Sequence, residues 1–146
     1  MASVVKFGVQ NRTLMKNSLC FQKIKYEEKM FIHKNIKDIE NTPQKAGKGV
    51  KMRMLLSLQE CDNFAMRTFT IDAGGFMPLH TNAVEHEQFV LSGKAIVKIG
   101  DKTFEAKKGD ILYIPAGESH SYATIGDEAY EFLCLVPKKE DCIKII

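Results

Sequence analysis

The amino-acid sequence predicts an all-β fold, a sandwich or closed barrel of short strands, on three observations. From Met30 onward, short strand-like stretches alternate with turn signals built from Gly, Pro, Asn, Asp and Ser. Within several of those stretches apolar residues recur with a period of two. Nowhere in this body does a 3.6-residue apolar period last a helix's length. Short strands at roughly even spacing pack as sandwiches or barrels.

Taken in order, residues 31–39 read as an extended entry segment, and 41–49, holding Pro43, Gly47 and Gly49, as a loop. Residues 52–58 and 65–71 are apolar-rich strands, and Ala73-Gly74-Gly75 is expected to end the second. Residues 86–91 and 94–99 flank Ser92-Gly93. Gly100-Asp101 then turns the chain into residues 102–106, a hairpin signal. Residues 110–114, 120–124 and 130–136 complete the set.

With 146 residues, 45% hydrophobic and 27% charged, one domain can bury a full core without staples. No apolar run nears the roughly 18–20 residues of a membrane helix, and no signal-peptide core precedes a cleavage site. A cytoplasmic protein without a membrane partner is therefore expected. The net charge of +3 is unevenly spread: residues 1–29 hold six basic and two acidic groups, residues 30–146 fifteen and sixteen. Positive charge thus sits in a leader and not on a folded face, which sets nucleic acid aside. Cys20, Cys61, Cys134 and Cys142 show no CxxC spacing and read as reduced thiols. The expected plan is a basic leader at 1–29 and a single domain at 30–146. The leader reads either as a transit-type segment or as sequence upstream of a natural start at Met30.

Three of the four histidines fall in two Gly-bounded blocks, one from Gly74 to Gly93 and one from Gly109 to His120. Residues two apart in a strand share a face, so His80 and Asn82 can converge on one point inside a barrel. His86 follows a short bend and His120 arrives from another strand. Three neutral imidazoles suffice to bind Zn, Fe, Mn, Ni or Cu while leaving positions open.

The two blocks resemble the cupin motifs G-x5-H-x-H-x3,4-E-x6-G and G-x5-P-x-G-x2-H-x3-N. Gly74, His80 and Gly93 fit the first; Gly109, Pro115, Gly117 and His120 fit every spacing of the second. The 15 residues between Gly93 and Gly109 match the short connection of compact microbial cupins. The resemblance spans residues 31–137 and implies a jelly-roll barrel, the double-stranded β-helix. Three positions depart from the pattern: Asn82 stands for the second histidine, His86 for the glutamate and Thr124 for the final asparagine. The run from Val84 to Leu91 also looks like a subgroup of small cupins with an all-histidine site. That resemblance implies one divalent transition metal per chain, Mn or Fe before Zn, Ni or Cu, on His80, His86 and His120. Asn82 takes the fourth place, either as a direct oxygen ligand or through a hydrogen bond. Glu85 and Glu87 read as solvated charges on the opposite strand face.

Without the glutamate, three neutral imidazoles leave the full charge of a divalent ion uncompensated, so the site should attract an anion. Strand parity adds Tyr122, beside His120, and Arg67, which shares a face with Phe69 and Ile71. It also turns Phe132 and Cys134 inward, because their strand-mate Glu131 belongs outside. Arg67, Tyr122, Phe132 and Cys134 are therefore the expected substrate pocket, with Cys134 a neighbour of the metal and prone to oxidation. The methionines at 52, 54, 66 and 77 read as packing. The expected protein is a metal-dependent cupin acting on a small organic anion by oxygen-dependent or hydrolytic chemistry. The alternative is a non-catalytic ligand or metal sensor. Compact cupins are commonly homodimers, which the resemblance extends to this chain. A sugar-phosphate isomerase would need further basic residues.

Overall fold

The computed structural model describes residues 3–5 and 31–146. The chain divides into two units, Met1–Asp38 and Ile39–Ile146. In the first, β1 (Ser3–Val5) pairs antiparallel with β2 (Phe31–His33), in register Ser3 to His33, ahead of a 3-10 turn at Ile36–Asp38. The segment expected to lead directly into the barrel is therefore a strand with a partner of its own. The leader's expected end at residue 29 lies outside the described residues.

The second unit holds β3 (Thr42–Pro43), β4 (Lys48–Leu56), β5 (Phe64–Asn82), β6 (His86–Ser92) and β7 (Lys94–Ile99). It continues through β8 (Lys102–Lys107), β9 (Ile111–Ile114), β10 (His120–Ile125), β11 (Tyr130–Pro137) and β12 (Ile143–Ile145). Hydrogen bonding joins them in the order β8-β7-β10-β5-β11-β6-β9, with β4 and β12 also on β5 and β3 on β4. This is a jelly-roll of antiparallel strands, the all-β architecture expected. Among the described residues no helix is long and apolar enough to cross a membrane.

The 19-residue β5 organises the unit. Its first half, up to Ile71, lies between β4 and β11; its second half, from Phe76, lies between β10 and β12. One strand thus serves both walls of the roll. The Gly74-Gly75 pair, expected to end the strand, instead lets it pass from one wall to the other. Gly74 takes a φ of 69°, and a Cβ on Gly75 would stand 2.6 Å from the Lys48 carbonyl oxygen. Glycine here permits close passage of two backbones. The loop expected at 41–49 is correspondingly shorter, and β12 carries no turn or periodicity signal strong enough to announce it.

Period-two burial is clean where one face meets the interior. In β6, His86, Gln88 and Val90 are buried while Glu87 and Phe89 are exposed; in β11, Tyr130, Phe132, Cys134 and Val136 are all buried. The core joins these residues to Val50, Ile71, Val97 and Ile114. Burial of each such large apolar side chain is worth about 1.5–3 kcal/mol. An aromatic stack continues the core toward the site. Phe132 stacks on Phe69 at 5.5 Å and on Tyr122 at 5.2 Å between centroids.

Gly93 closes the tight connection from β6 to β7 with a φ of 69°, and a Cβ there would collide with the Ala129 carbonyl. Gly109 has a φ of 93° but open space around it. Gly109→Ala should therefore lower stability by about 1 kcal/mol, the cost of a left-handed backbone alone. Gly93→Ala should cost about 3 kcal/mol or more, because the backbone must also shift. Urea unfolding of both variants measures the difference; equal losses would show that the clash at Ala129 is relieved freely.

Candidate functional site

Three strands deliver three histidines to one end of a cavity. His80 comes from β5, His86 from the first position of β6 and His120 from the first position of β10, and all three are buried. His120 pairs directly with His80 across the ladder, and the register slips between there and the pairing of Tyr122 with Met77. That β-bulge puts one extra β5 residue around Pro78. It switches the inward parity of β5, so that Arg67, Phe69, Ile71 and Met77 face the cavity before it, and His80 and Asn82 after it. The turn before β10 is anchored by Gly117, whose N–H donates to the Asn82 carbonyl at 2.8 Å.

The cavity encloses about 610 Å³. Its polar lining includes Arg67, His80, Asn82, His86, Gln88, His120, Tyr122 and Asp141; Met52, Phe69, Ile71, Phe132 and Ile143 supply apolar wall. The structure therefore brings together every expected site residue except Cys134. That thiol does point inward and is fully buried, but it lies behind the cavity wall, with Arg67 Nη2 at 3.9 Å from its sulfur. Burial also pushes its pKa up. Cys134 is therefore not among the residues that line the cavity, which corrects its expected place in the pocket.

Ring geometry is set from behind. His80 Nδ1 lies 2.8 Å from the Pro78 carbonyl oxygen and His120 Nδ1 lies 3.0 Å from that of Glu118. Each carbonyl requires a donor, so the proton sits on Nδ1 and Nε2 keeps a lone pair. The ring centroids of His80 and His120 are 4.1 Å apart, those of His86 and His120 5.3 Å. Nε2 of His86, Nε2 of His120 and Oδ1 of Asn82 are buried without a hydrogen-bond partner among the described residues. Loss of hydration holds all three imidazoles neutral. It lowers His86 to about 3, aided by the Arg67 charge, lowers His120 to about 4, and lowers His80 as well. As the side chains stand, no group of three or more His, Cys, Asp or Glu among the described residues is arranged to hold an ion.

Four polar residues of the cavity lining escape sequence reasoning, Gln44 and Lys45 from the loop before β4 and two that engage other site residues, Gln88 and Asp141. Gln88 is two positions from His86 on the same strand face, so parity could have found it. Its Nε2 donates to the Tyr122 hydroxyl at 2.8 Å, and that hydroxyl lies 3.2 Å from Gln88 Oε1. Tyr122 is thereby both a core ring, packed edge-on against His120, and a hydroxyl already engaged. Asp141 precedes β12 in a segment without a motif. It accepts hydrogen bonds from Asn82 Nδ2 at 2.9 Å and from the Ala83 N–H at 3.0 Å. The carboxylate expected to be missing from the site therefore stands beside it. Glu85 is half-buried and Glu87 exposed; neither lines the cavity.

Arg67 lies with its guanidinium carbon 5.1 Å from the Phe69 ring centroid, and its Nε is buried without a partner. It makes no ion pair among the described residues. A guanidinium held on an aromatic face inside a cavity is well placed to receive an anion.

Known proteins share this frame. The cupin-domain family model matches residues 67–136, the stretch from Arg67 through β11. An oxalate-binding protein from Thermotoga maritima is 32% identical over 111 residues, covering 69% of this chain and 91% of its own length. The chain belongs to the cupin family. An uncharacterised protein from Streptomyces coelicolor is 29% identical over 66 residues, and there the match spans 63% of the relative and 45% of this cupin. Among solved structures, the polyketide cyclase RemF from Streptomyces resistomycificus superposes with a TM-score of 0.72 at 24% identity, covering 78% of this chain and 84% of RemF. That likeness extends to the fold.

The neutral histidines make metal-free stability depend on pH. Their ordinary pKa of about 6.5 returns in the unfolded chain, which therefore binds more protons than the folded one below that pH. Stability should be full above pH 7 and fall as pH drops from about 6.5 toward 4, with a slope up to about 1.4 kcal/mol per pH unit for each histidine. Urea midpoints at pH 7.5 and 5 test this. His86→Gln should flatten the dependence, and an equal slope in the variant would show that His86 is not held neutral.

Proposed function

We propose that this cupin binds one divalent transition-metal ion through His80, His86 and His120, with Asn82 as an oxygen donor, and presents it to a small organic anion. The observation that carries the reading is the set of buried, unpartnered polar atoms, Nε2 of His86, Nε2 of His120 and Oδ1 of Asn82, all on residues that line one cavity. A buried acceptor without a partner is costly, and a cation relieves that cost for all of them at once. Neutral imidazoles need lose no proton to bind. Seating an ion requires the rings to turn about their side-chain bonds from their present orientation. Three imidazole nitrogens suit Fe(II), and the amide oxygen together with oxygen ligands at the open positions suits Mn(II) as well.

Bound there, the metal would supply a positive centre for an anion and a Lewis-acid or oxygen-binding site. The chain's own residues do the rest. Arg67 offers a second positive group across the cavity, suited to the far carboxylate of a dicarboxylate. Phe69, Phe132 and Ile71 keep water from that pairing, which strengthens it. The similarity to an oxalate-binding protein supports a dicarboxylate as the ligand class.

Simple binding is the reading the geometry supports best, because the tyrosine and the carboxylate that line the cavity are both already engaged. The Tyr122 hydroxyl is engaged by Gln88 and pushed well above its ordinary pKa by burial, and Asp141 already accepts two hydrogen bonds. Turnover of the anion, oxygen-dependent or hydrolytic, is the second reading. The cavity favours it to this extent, that about 610 Å³ leaves room for a second small molecule beside a two-carbon dicarboxylate.

Elemental analysis of protein purified without added metal should give close to one Mn or Fe per chain, falling below a tenth in His80→Ala, His86→Ala or His120→Ala. Full occupancy in all three variants would defeat the reading. In calorimetric titrations of the Mn(II)-loaded protein, oxalate should bind, and Arg67→Leu should weaken it by about 10–100-fold, the worth of a partly buried charge-assisted pair. Unchanged affinity in Arg67→Leu would remove Arg67 from the anion site.

A further inference from the structure

The Asn82 side chain is ambiguous in sequence, since an amide can turn either its oxygen or its nitrogen toward the cavity. Its surroundings remove the ambiguity. The Asp141 carboxylate lies beside it, with Oδ2 2.9 Å from the amide nitrogen and Oδ1 3.0 Å from the Ala83 backbone nitrogen. An ionised carboxylate only accepts, so the amide must show it the NH2 group, and Oδ1 is left on the other side. That oxygen is buried and unpartnered, on a residue only 8% exposed that lines the cavity.

Asp141 is itself held in place. It lies just before β12, whose Ile143, Lys144 and Ile145 pair with Asn82, Thr81 and His80 of β5, and the Ile146 N–H donates to the Leu79 carbonyl at 3.0 Å. The β12 pairing therefore holds the carboxylate against Asn82, at the rim of the cavity that both residues line. The arrangement parallels the histidines, where the Pro78 and Glu118 carbonyls stand behind His80 and His120 and leave each Nε2 forward.

We infer that Asp141 is a positioning residue that turns the Asn82 amide oxygen into the cavity, making position 82 an oxygen donor for a cation and not a donor of hydrogen bonds to an anion. The inference rests on the metal reading above and deepens it. A site that took its anion directly on Asn82 would need the NH2 group forward, and Asp141 forbids that. Its charge also offsets, at one remove, the positive charge of an ion held by neutral groups.

Asp141→Asn separates this role from simple anchoring of β12. An amide at position 141 has one acceptor and one donor, so it can keep the Ala83 N–H and then must offer its NH2 to Asn82. The Asn82 amide reverses, and its own NH2 faces the cavity. Mn(II) titrated calorimetrically into metal-free protein should bind at least 10-fold more weakly in this variant. The reciprocal exchange, Asn82→Asp together with Asp141→Asn, restores a donor between the two side chains and an oxygen toward the cavity, and should recover at least the original affinity. Unchanged Mn(II) affinity in Asp141→Asn, or a double variant weaker than the single one, would overturn the inference. A second readout needs no metal. In 15N NMR of the metal-free protein, the Asn82 side-chain NH2 should be protected from exchange and lose that protection in Asp141→Asn. Free exchange in the unsubstituted protein would overturn the orientation itself, whereas protected exchange without Mn(II) binding would sink the metal reading and leave the orientation standing.

Discussion

The site depends on the course of one strand. β5 runs 19 residues, lends its first half to one wall of the roll and its second half to the other, and bulges at Pro78 on the way. Without the glycine at 75 two backbones could not pass so closely, and without the bulge His80 and Asn82 would face solvent. Arg67 and His80 therefore lie on one strand yet line one cavity. Much of the site is docked onto this strand: His120 through its ladder pairing with His80, Asp141 through β12, and Phe132 opposite Phe69, while β11 in turn carries β6 with His86 and Gln88.

Burial then sets the chemistry. The same dehydration that keeps three imidazoles neutral leaves Nε2 of His86 and Nε2 of His120 without partners among the described residues, and it removes the Tyr122 hydroxyl and the Cys134 thiol from acid–base work. Positive charge enters the cavity from Arg67 and Lys45 and negative charge from Asp141. The Arg67 charge acts on His86 within this one cavity, while the Asp141 carboxylate is bound to Asn82.

Much of this frame was legible in residue types alone. The spacing of Gly74, His80 and Gly93, and of Gly109, Pro115, Gly117 and His120, is a local signal because a turn glycine and an inward-facing residue must sit at set offsets along a strand. Period two placed Arg67, Tyr122 and Phe132 on the cavity side for the same reason. Where local rules were applied beyond their reach they failed. Ala73-Gly74-Gly75 reads as a stop, but tertiary pairing on both sides carries the strand through it. Inward parity sends Cys134 to the interior, but parity cannot say whether an inward residue meets the cavity or the packing behind it.

The sequence by itself determined the all-β class, the strand faces and the histidine constellation, since each follows from interactions between residues near one another in the chain or from fixed spacings along a strand. Only the tertiary structure decided which way the Asn82 amide points, that Gln88 occupies the Tyr122 hydroxyl, and that a carboxylate stands beside Asn82 after all. Asp141 lies 59 residues from Asn82 and carries no motif. Its place is set by β12 joining the open edge of β5, a pairing made of backbone hydrogen bonds that any side chains would permit.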